Sequence, residues 1–356
     1  MILVNNPGSW GAVYAPLRHA EWHGWTPTDL IFPFFLFIVG AVIPLALGRQ
    51  LAIGSRPGKL LLRATRRSAI LVALGLFISG YPFALFGSRT LERLLETWRF
   101  PGVLQRIGLC YLAASAIYLY CRRRGIKVVI VTLLIGYWLL MTVVPVPGLG
   151  AGDLDSQGDH LAGWLDRAVF GSHVWIYAKV YDPEGLLSTL PALATTVLGV
   201  LAGLLLVSKR EPRDKLKKLL LGGSLLVATG YVWSWFFPIN KALWTSSYAV
   251  FTAGVAACAL AGCYWFFDLG RRETLARPLV IYGVNAITVF VGSALLSRTL
   301  AYLHVGEQSL QAAIHQTLFA SWLPPHPASL AYAIAWIIGW FLVLLWMDQR
   351  GFHIKV

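Results

Sequence analysis

The sequence predicts an all-α, polytopic transmembrane helix bundle, and three observations lead there. Hydrophobic residues make up 57% of the 356-residue chain, more than the roughly 45–50% of soluble folds. The mean hydropathy is +0.65. The apolar runs are unbroken and about 17 residues long or more, the length a helix needs to cross a bilayer, whereas barrel strands would alternate in hydrophobicity. In lipid the backbone must satisfy its own polar groups, which a helix does within one segment.

Nine complete spans are expected, at residues 29–47, 68–87, 102–120, 128–144, 187–207, 219–237, 247–267, 278–296 and 328–347. They form a single domain, 1–356, with no internal repeat or linker. The longest connection, 145–186, reads as an extracytoplasmic loop elaboration within that domain.

The connections alternate in charge. One set holds Arg49, Arg56, Lys59, Arg63, Arg66 and Arg67, then Arg122, Arg123, Arg124 and Lys127. It continues with Lys209, Arg210, Arg213, Lys215, Lys217 and Lys218, then Arg271, Arg272 and Arg277, and ends with Arg350 and Lys355. These are 21 of the 30 basic residues. The positive-inside rule assigns them, and the C-terminus, to the cytoplasm. The net charge of +14 therefore has a membrane explanation, and no nucleic-acid partner is expected. The other set carries seven of eight histidines and eleven of sixteen acids. The four cysteines lie in or beside apolar runs, with neither a metal-ligand spacing nor a disulfide framework, so no metal is expected.

With nine spans and a cytoplasmic C-terminus, the N-terminus falls outside. Met1-Ile2-Leu3-Val4 looks like the last turn of a helix. The expectation is the remnant of a first span, its beginning lost to a start codon placed too late. A natural outward stub is the alternative.

Five segments on the outer side are candidates for chemistry. The densest runs from Leu17 to Asp29 and holds Arg18, His19, Glu21, Trp22, His23 and Trp25. Part of it is a helix start, with Thr26 as N-cap, Pro27 at the first position and Asp29 closing a capping box. The tryptophans suit an interfacial belt. Capping does not explain two histidines and a glutamate beside the acid. Pro33 cannot donate to the Asp29 carbonyl, which loosens the first turn there. Histidine, with an unperturbed pKa of about 6.5, can act as a base near neutral pH, and a carboxylate would orient it. A solvated interfacial histidine is the plainer reading.

The second segment is Arg99 to Gly108, with Gln105 and Arg106 in the first turns of a span; an arginine there can simply snorkel outward. In the third, Tyr181 to Pro191, Asp182 reads as a cap and Pro183 as the start of the next helix. The fourth, Pro238 to Tyr248, is a short outer turn with Asn240, Lys241 and Trp244. The fifth places Asn285 inside a span, where helix–helix hydrogen bonding is the usual reason for asparagine. No Walker loop, zinc signature or nucleophile elbow competes.

Together these segments resemble the heparan-α-glucosaminide N-acetyltransferase family. Its bacterial branch is described either as an acyltransferase or as an N-acetylglucosamine-related transporter called NagX. The resemblance rests on His19-Ala20-x-Trp22-x-Gly24-x-Thr26-x-x-Asp29-Leu30-x-Phe32-Pro33, Pro101-Gly102-Val103-Leu104-Gln105-Arg106, Asp182-Pro183-Glu184-Gly185, Asn240-Lys241-x-Leu243-Trp244 and Asn285-Ala286-Ile287. It implies acetyl transfer from cytosolic acetyl-CoA to an amino sugar across the membrane.

The family's active histidine maps onto His19 and its neighbouring acid onto Asp29. An implicated asparagine maps onto Asn5, across a small length difference. The resemblance further points to Gln105, Arg106 and Asn285 on the acetyl-CoA side. It points to Glu21, Trp22, Asp182, Glu184, Asn240, Lys241 and Trp244 on the acceptor side. Two departures stand out: the family's first helix and the large lumenal N-terminal domain of the animal enzymes are not in this sequence. Glucosamine or a cell-wall amino sugar is then the expected acceptor, with membrane lipid and a second copy of the chain as further partners. The implied location is a bacterial inner membrane. Direct transfer and an acetyl-histidine intermediate both fit. An amino-sugar transporter is the alternative function, and an inactive scaffold a third.

Overall fold

A computed structural model describes residues 1–83, 85 and 90–354. The last residues of the span expected at 68–87 therefore fall partly outside the described residues, as does Lys355.

The helices are α1 (Ile2–Asn5), α2 (Ile31–Ala52), α3 (Pro57–Gly80), α4 (Leu91–Thr97), α5 (Val103–Tyr120), α6 (Arg123–Val143) and α7 (Leu161–Phe170). They continue with α8 (Thr189–Leu206), α9 (Pro212–Trp233), α10 (Ser246–Cys263), α11 (Glu273–Val284), α12 (Ala286–Tyr302), α13 (Leu310–His315) and α14 (Pro325–Gln349). A two-stranded ribbon, His304–Val305 against Gln308–Ser309, is the one sheet among the described residues.

Helix stands at all nine expected positions, but the count of nine spans is not established. Among the described residues, six segments are long and apolar enough to cross a membrane: Pro27–Ala52, Val103–Tyr120, Arg123–Val143, Thr189–Leu206, Ser246–Leu269 and Pro325–Gln349. The helices α3 and α9 are long, at 24 and 22 residues, but cations in their first halves lower their apolarity. At the span expected at 278–296, α11 and α12 meet at Asn285 with a bend of 61°. Together they are apolar enough for one broken span or a re-entrant loop. The chain is a multi-pass membrane protein.

The core is assembled around α2, α5, α8 and α10. The most extensive helix pairs are α9 with α10, α2 with α8, and α3 with α5. Lipid offers no hydrophobic drive between helices, so close backbone approach does the work. On α2 and α8, a Cβ at Gly40, Gly199 or Gly203 would strike the facing backbone at Thr196, Phe37 or Ala41. This seam seats the helix whose first turn carries Asp29.

Candidate active site

His19 lies in the loop between two short 3₁₀ turns, Ala15–Leu17 and Pro27–Leu30. Asp29 sits in the second turn, with Thr26 before it and Pro27 at its first position. The expected capping arm is present: Thr26 N donates to Asp29 Oδ2 at 3.0 Å. Ala20 N and Thr26 Oγ1 donate to the same oxygen at 3.0 and 3.1 Å. The acid therefore does more than cap. Its other oxygen, Oδ1, lies 2.6 Å from His19 Nδ1. The pair is asymmetric in exposure: the Asp29 side chain is 1% exposed and that of His19 54%. The Asp29 carbonyl that Pro33 leaves without a helical donor is met by Tyr248 Oη at 2.6 Å, from α10.

Lys241 Nζ is 3.1 Å from Asp29 Oδ1, 2.8 Å from His19 Nδ1 and 3.3 Å from His19 Nε2. Nδ1 has one proton or one lone pair to offer, so it cannot donate to Asp29 and accept from Lys241 together. A carboxylate is acceptor-only, so the short contact to Asp29 assigns the Nδ1 proton to that bond. Nε2 then carries the lone pair. Burial lowers the Lys241 pKa below its ordinary value, while the charges of Asp29 and Glu184 pull it back up.

His23 belongs to the rim. Its Nε2 donates to Asp155 at 2.8 Å, and its Nδ1 accepts from Asn240 Nδ2 at 3.3 Å. The Asn240 Oδ1 accepts from Leu243 N at 2.9 Å, which shapes the turn. Trp22 Nε1 donates to Leu154 O at 2.8 Å, and its ring stacks on His160. The 145–186 connection is thus tied directly to the His19 loop. Glu21 is exposed.

Asp182 and Arg106 require corrections. The helix expected to start at Pro183 begins at Thr189, and Asp182 does not cap it. Asp182 instead receives Arg99 Nε at 2.8 Å and Nη2 at 2.5 Å, and Arg99 also reaches Glu184. A planar guanidinium can serve two carboxylates in this way. Burial pushes the Asp182 pKa up despite Arg99. Glu184 goes down, because Arg99 and Arg106 outweigh its burial. Asp166 on α7 accepts from Asp182 N at 3.1 Å and Leu186 N at 3.0 Å. Burial, with the Asp182 charge adding to it, raises Asp166 to about 6. A Cβ on Gly185 would collide with this carboxylate, so glycine is required there.

Arg106 does not snorkel. It is 1% exposed and donates to Gly185 O at 3.0 Å and Ser188 Oγ at 2.5 Å. Its guanidinium lies 5.3 Å from the Trp244 ring centroid. Trp244 holds φ +48°, an uncommon conformation for a bulky residue. It is locked there by edge-on contacts with Phe32 and Tyr248.

Four of the five segments thus converge through direct contacts. The fifth does so through a cavity. Asn285 is fully buried, and its Oδ1 has no hydrogen-bond partner among the described residues. Its neighbours Gly283 and Ala286 line an apolar cavity of about 490 Å³, together with Ile31, Phe35, Val103 and Ile107. That cavity lies against the helix starts that carry Asp29, Gln105 and Arg106. Gln105 Nε2 donates to Phe100 O at 3.0 Å. Asn5 is exposed, whereas its neighbour Asn6 is buried and donates to Ser293 Oγ at 3.2 Å. The interior asparagine is therefore Asn6. Arg99 and Tyr248, at the ends of two of the segments, and Asp166 and Asn6 hold these contacts, a part that the sequence reading did not assign to them.

A family model described as a domain of unknown function, DUF5009, matches residues 14–180. Human heparan-α-glucosaminide N-acetyltransferase is 31% identical over 341 residues, covering 82% of this chain and 50% of that protein. The mouse protein of the same name is 30% identical over 348 residues, covering 83% and 51%. The chain spans about half the length of these relatives. The similarity extends across most of the sequence that builds the bundle and its polar end, and it supports a heparan-α-glucosaminide N-acetyltransferase-like family for the chain.

Proposed function

We propose that the chain is a transmembrane acetyltransferase that moves an acetyl group from cytosolic acetyl-CoA to the amine of a glucosamine-type sugar on the periplasmic side of a bacterial inner membrane. The observation that carries this reading is the His19–Asp29 pair. A buried carboxylate holds Nδ1 at 2.6 Å, which leaves Nε2 to accept a proton on a half-exposed ring. Similarity over most of the chain to two N-acetyltransferases supports it.

His19 Nε2 takes a proton from the acceptor amine as the nitrogen attacks the thioester carbonyl. A C–N bond forms, the C–S bond breaks, and the proton passes to the leaving thiolate. Asp29 orients the ring and stabilises the imidazolium. The Lys241 position supports this arrangement, because it puts an amine nitrogen 3.3 Å from Nε2. The donor must deliver acetyl through a hydrocarbon core about 30 Å thick. The apolar cavity beside Ile31, Phe35 and Val103 suits a pantetheine arm, with the CoA nucleotide toward the basic helix ends. Gln105, Arg106 and Asn285, each next in sequence to a residue that lines this cavity, are assigned to the donor side. Glu21, Trp22, Asp182, Glu184, Asn240, Lys241 and Trp244 are assigned to the acceptor side, directly or through the loops they hold.

A transporter is the second reading, and one observation favours it: the span broken by 61° at buried Asn285. Broken helices with buried polar groups are common at transport sites. Purified chain in liposomes, with labelled acetyl-CoA outside and glucosamine inside, separates the two. Labelled N-acetylglucosamine inside supports acetyl transfer. Movement of unmodified sugar without label incorporation would overturn it in favour of transport.

A further inference from the structure

The end of the bundle remote from His19 holds a second cavity, at one of the basic helix ends and separate from the apolar cavity assigned above to the pantetheine arm. Its volume is about 510 Å³. It lies between the first turns of α9 and the π-helical turn Tyr264–Leu269 that extends α10. Arg213, Lys217 and Arg272 line it together with Trp265, Phe266 and Leu269. Three of its eight lining residues are cations and none is an acid.

The cations are available in a way their neighbours are not. Arg210 and Lys218 are paired with Asp214 at 3.2 and 2.9 Å. Among the described residues no ion pair engages Arg213, Lys217 or Arg272. The acids nearest in sequence, Glu211, Asp214, Asp268 and Glu273, do not line the cavity. The Arg272 guanidinium is already held in place, 4.4 Å from the centroid of the Phe266 ring. A π-helical turn is rare and frequently marks a functional site. Here it brings Trp265, 60% exposed, to the rim.

The cavity is amphipathic along the helix axis. Leu216 lines it, and Leu220 lies one turn further along α9 and is exposed. Charge at one end and exposed apolar side chains leading away from it match a molecule with a phosphate head and hydrocarbon tails. A soluble phosphate would use the cations and leave the leucines idle. Basic pockets between transmembrane helices hold acidic lipid headgroups by the same logic.

We propose that this cavity binds the headgroup of an anionic phospholipid, with its phosphate among Arg213, Lys217 and Arg272 and its acyl chains along Leu216 and Leu220. The proposal rests on the chain being embedded in a membrane. It depends neither on which side the basic end faces nor on acetyl transfer.

The test uses the full chain purified in detergent and measures retained lipid by native mass spectrometry. The probes are phosphatidylglycerol and phosphatidylcholine. The chain should hold phosphatidylglycerol at least about 10-fold more tightly. Replacing Arg213, Lys217 and Arg272 together by Gln should weaken it on the order of 100-fold, about fivefold per cation. A control with Arg122, Arg123 and Arg124 replaced by Gln removes the same charge elsewhere and should change binding less than about threefold. Should the triple variant fail to give a monodisperse peak, the single substitutions carry the test. Neither CoA nor inorganic phosphate should displace the lipid. Equal binding of the two lipids, equal loss in both triple variants, or displacement by CoA or phosphate would each overturn the proposal. An inactive protein would leave the result intact, which keeps this test separate from that of the acetyltransferase reading.

Discussion

Lys241 Nζ stands 3.1 Å from Asp29 Oδ1, on the oxygen that also holds His19. One buried carboxylate therefore meets an imidazole and a cation together. The ammonium offsets the acid's charge, and the imidazole depends on that acid for its orientation. Lys241→Gln keeps polar reach but removes the charge. The expected result is a fall in kcat on the order of 10²-fold, the scale of losing one preorganised electrostatic group. A folded variant that transfers acetyl at the wild-type rate would remove Lys241 from the mechanism.

His19→Ala should abolish transfer, because loss of a general base costs about 10²–10⁴-fold. Asp29→Asn should cost less and act mainly on kcat. Asparagine also caps well, so this substitution tests the charge with the helix start intact. His23→Ala should be mild, since His23 is bound to exposed Asp155 at the rim. Steady-state kinetics on the three variants checks the order. Loss of activity in His23→Ala with retention in His19→Ala would reverse the assignment.

Arg99 joins Asp182 and Glu184 at one guanidinium. Arg99→Met leaves both carboxylates without that cation, at a cost of about 3–5 kcal/mol. The double variant Arg99→Met with Asp182→Asn should recover part of the loss. Thermal unfolding in detergent reads both. A double variant less stable than the single one would count against charge as the cause.

Asp166 gives a pH dependence with a definite sign. Its pKa is raised from 3.8 to about 6 by burial, so the folded state prefers the neutral acid. Its contribution to stability is full below 3.8 and is lost as pH rises through about 6. Glu184 acts oppositely: its pKa is lowered from 4.5, so its stabilisation is present above 4.5 and lost as pH falls through the lower folded value. Relative to Asp166→Asn, the wild-type chain should lose about 1–3 kcal/mol between about pH 4.5 and about pH 7. Unfolding midpoints at the two pH values check this, and a pH-independent difference would refute it.

Orientation is tested by cysteine accessibility in cells, after the four native cysteines are replaced. Ser55→Cys and Ser208→Cys flank the basic connections, and Ser156→Cys lies in the 145–186 connection. An impermeant thiol reagent should label the Ser156 site and spare the other two. The opposite pattern would put His19 on the cytoplasmic side and end the case for transfer across the membrane.

The parts of the site that were legible in the sequence are local. His19 and Asp29 are ten residues apart, within a helix start whose capping chemistry has a known pattern. The parts misread are those with distant partners. Arg106 read as a snorkelling cation because its acceptors, Gly185 and Ser188, are 79 and 82 residues away. Asp182 read as a cap because Arg99 lies 83 residues earlier. Asp166 passed as one acid among several in a polar loop, since only the fold shows that it is buried beneath Asp182. The bend at Asn285 was not legible for a different reason. Asn285 interrupts an apolar run without ending its hydropathy, and a bend leaves no mark in a property averaged over a window.

The α2–α8 seam has a mechanical consequence for the base. Gly40 is eleven residues from Asp29 on the same rod, about 16 Å at the rise of an α-helix. The carboxylate takes its height and tilt from a junction deep in the bilayer, where a single methyl group would wedge two backbones apart. Alignment of the imidazole is thus set by carpentry well below the reacting atoms. Gly40 and Gly199 touch none of the proposed chemistry, yet they decide whether its parts meet.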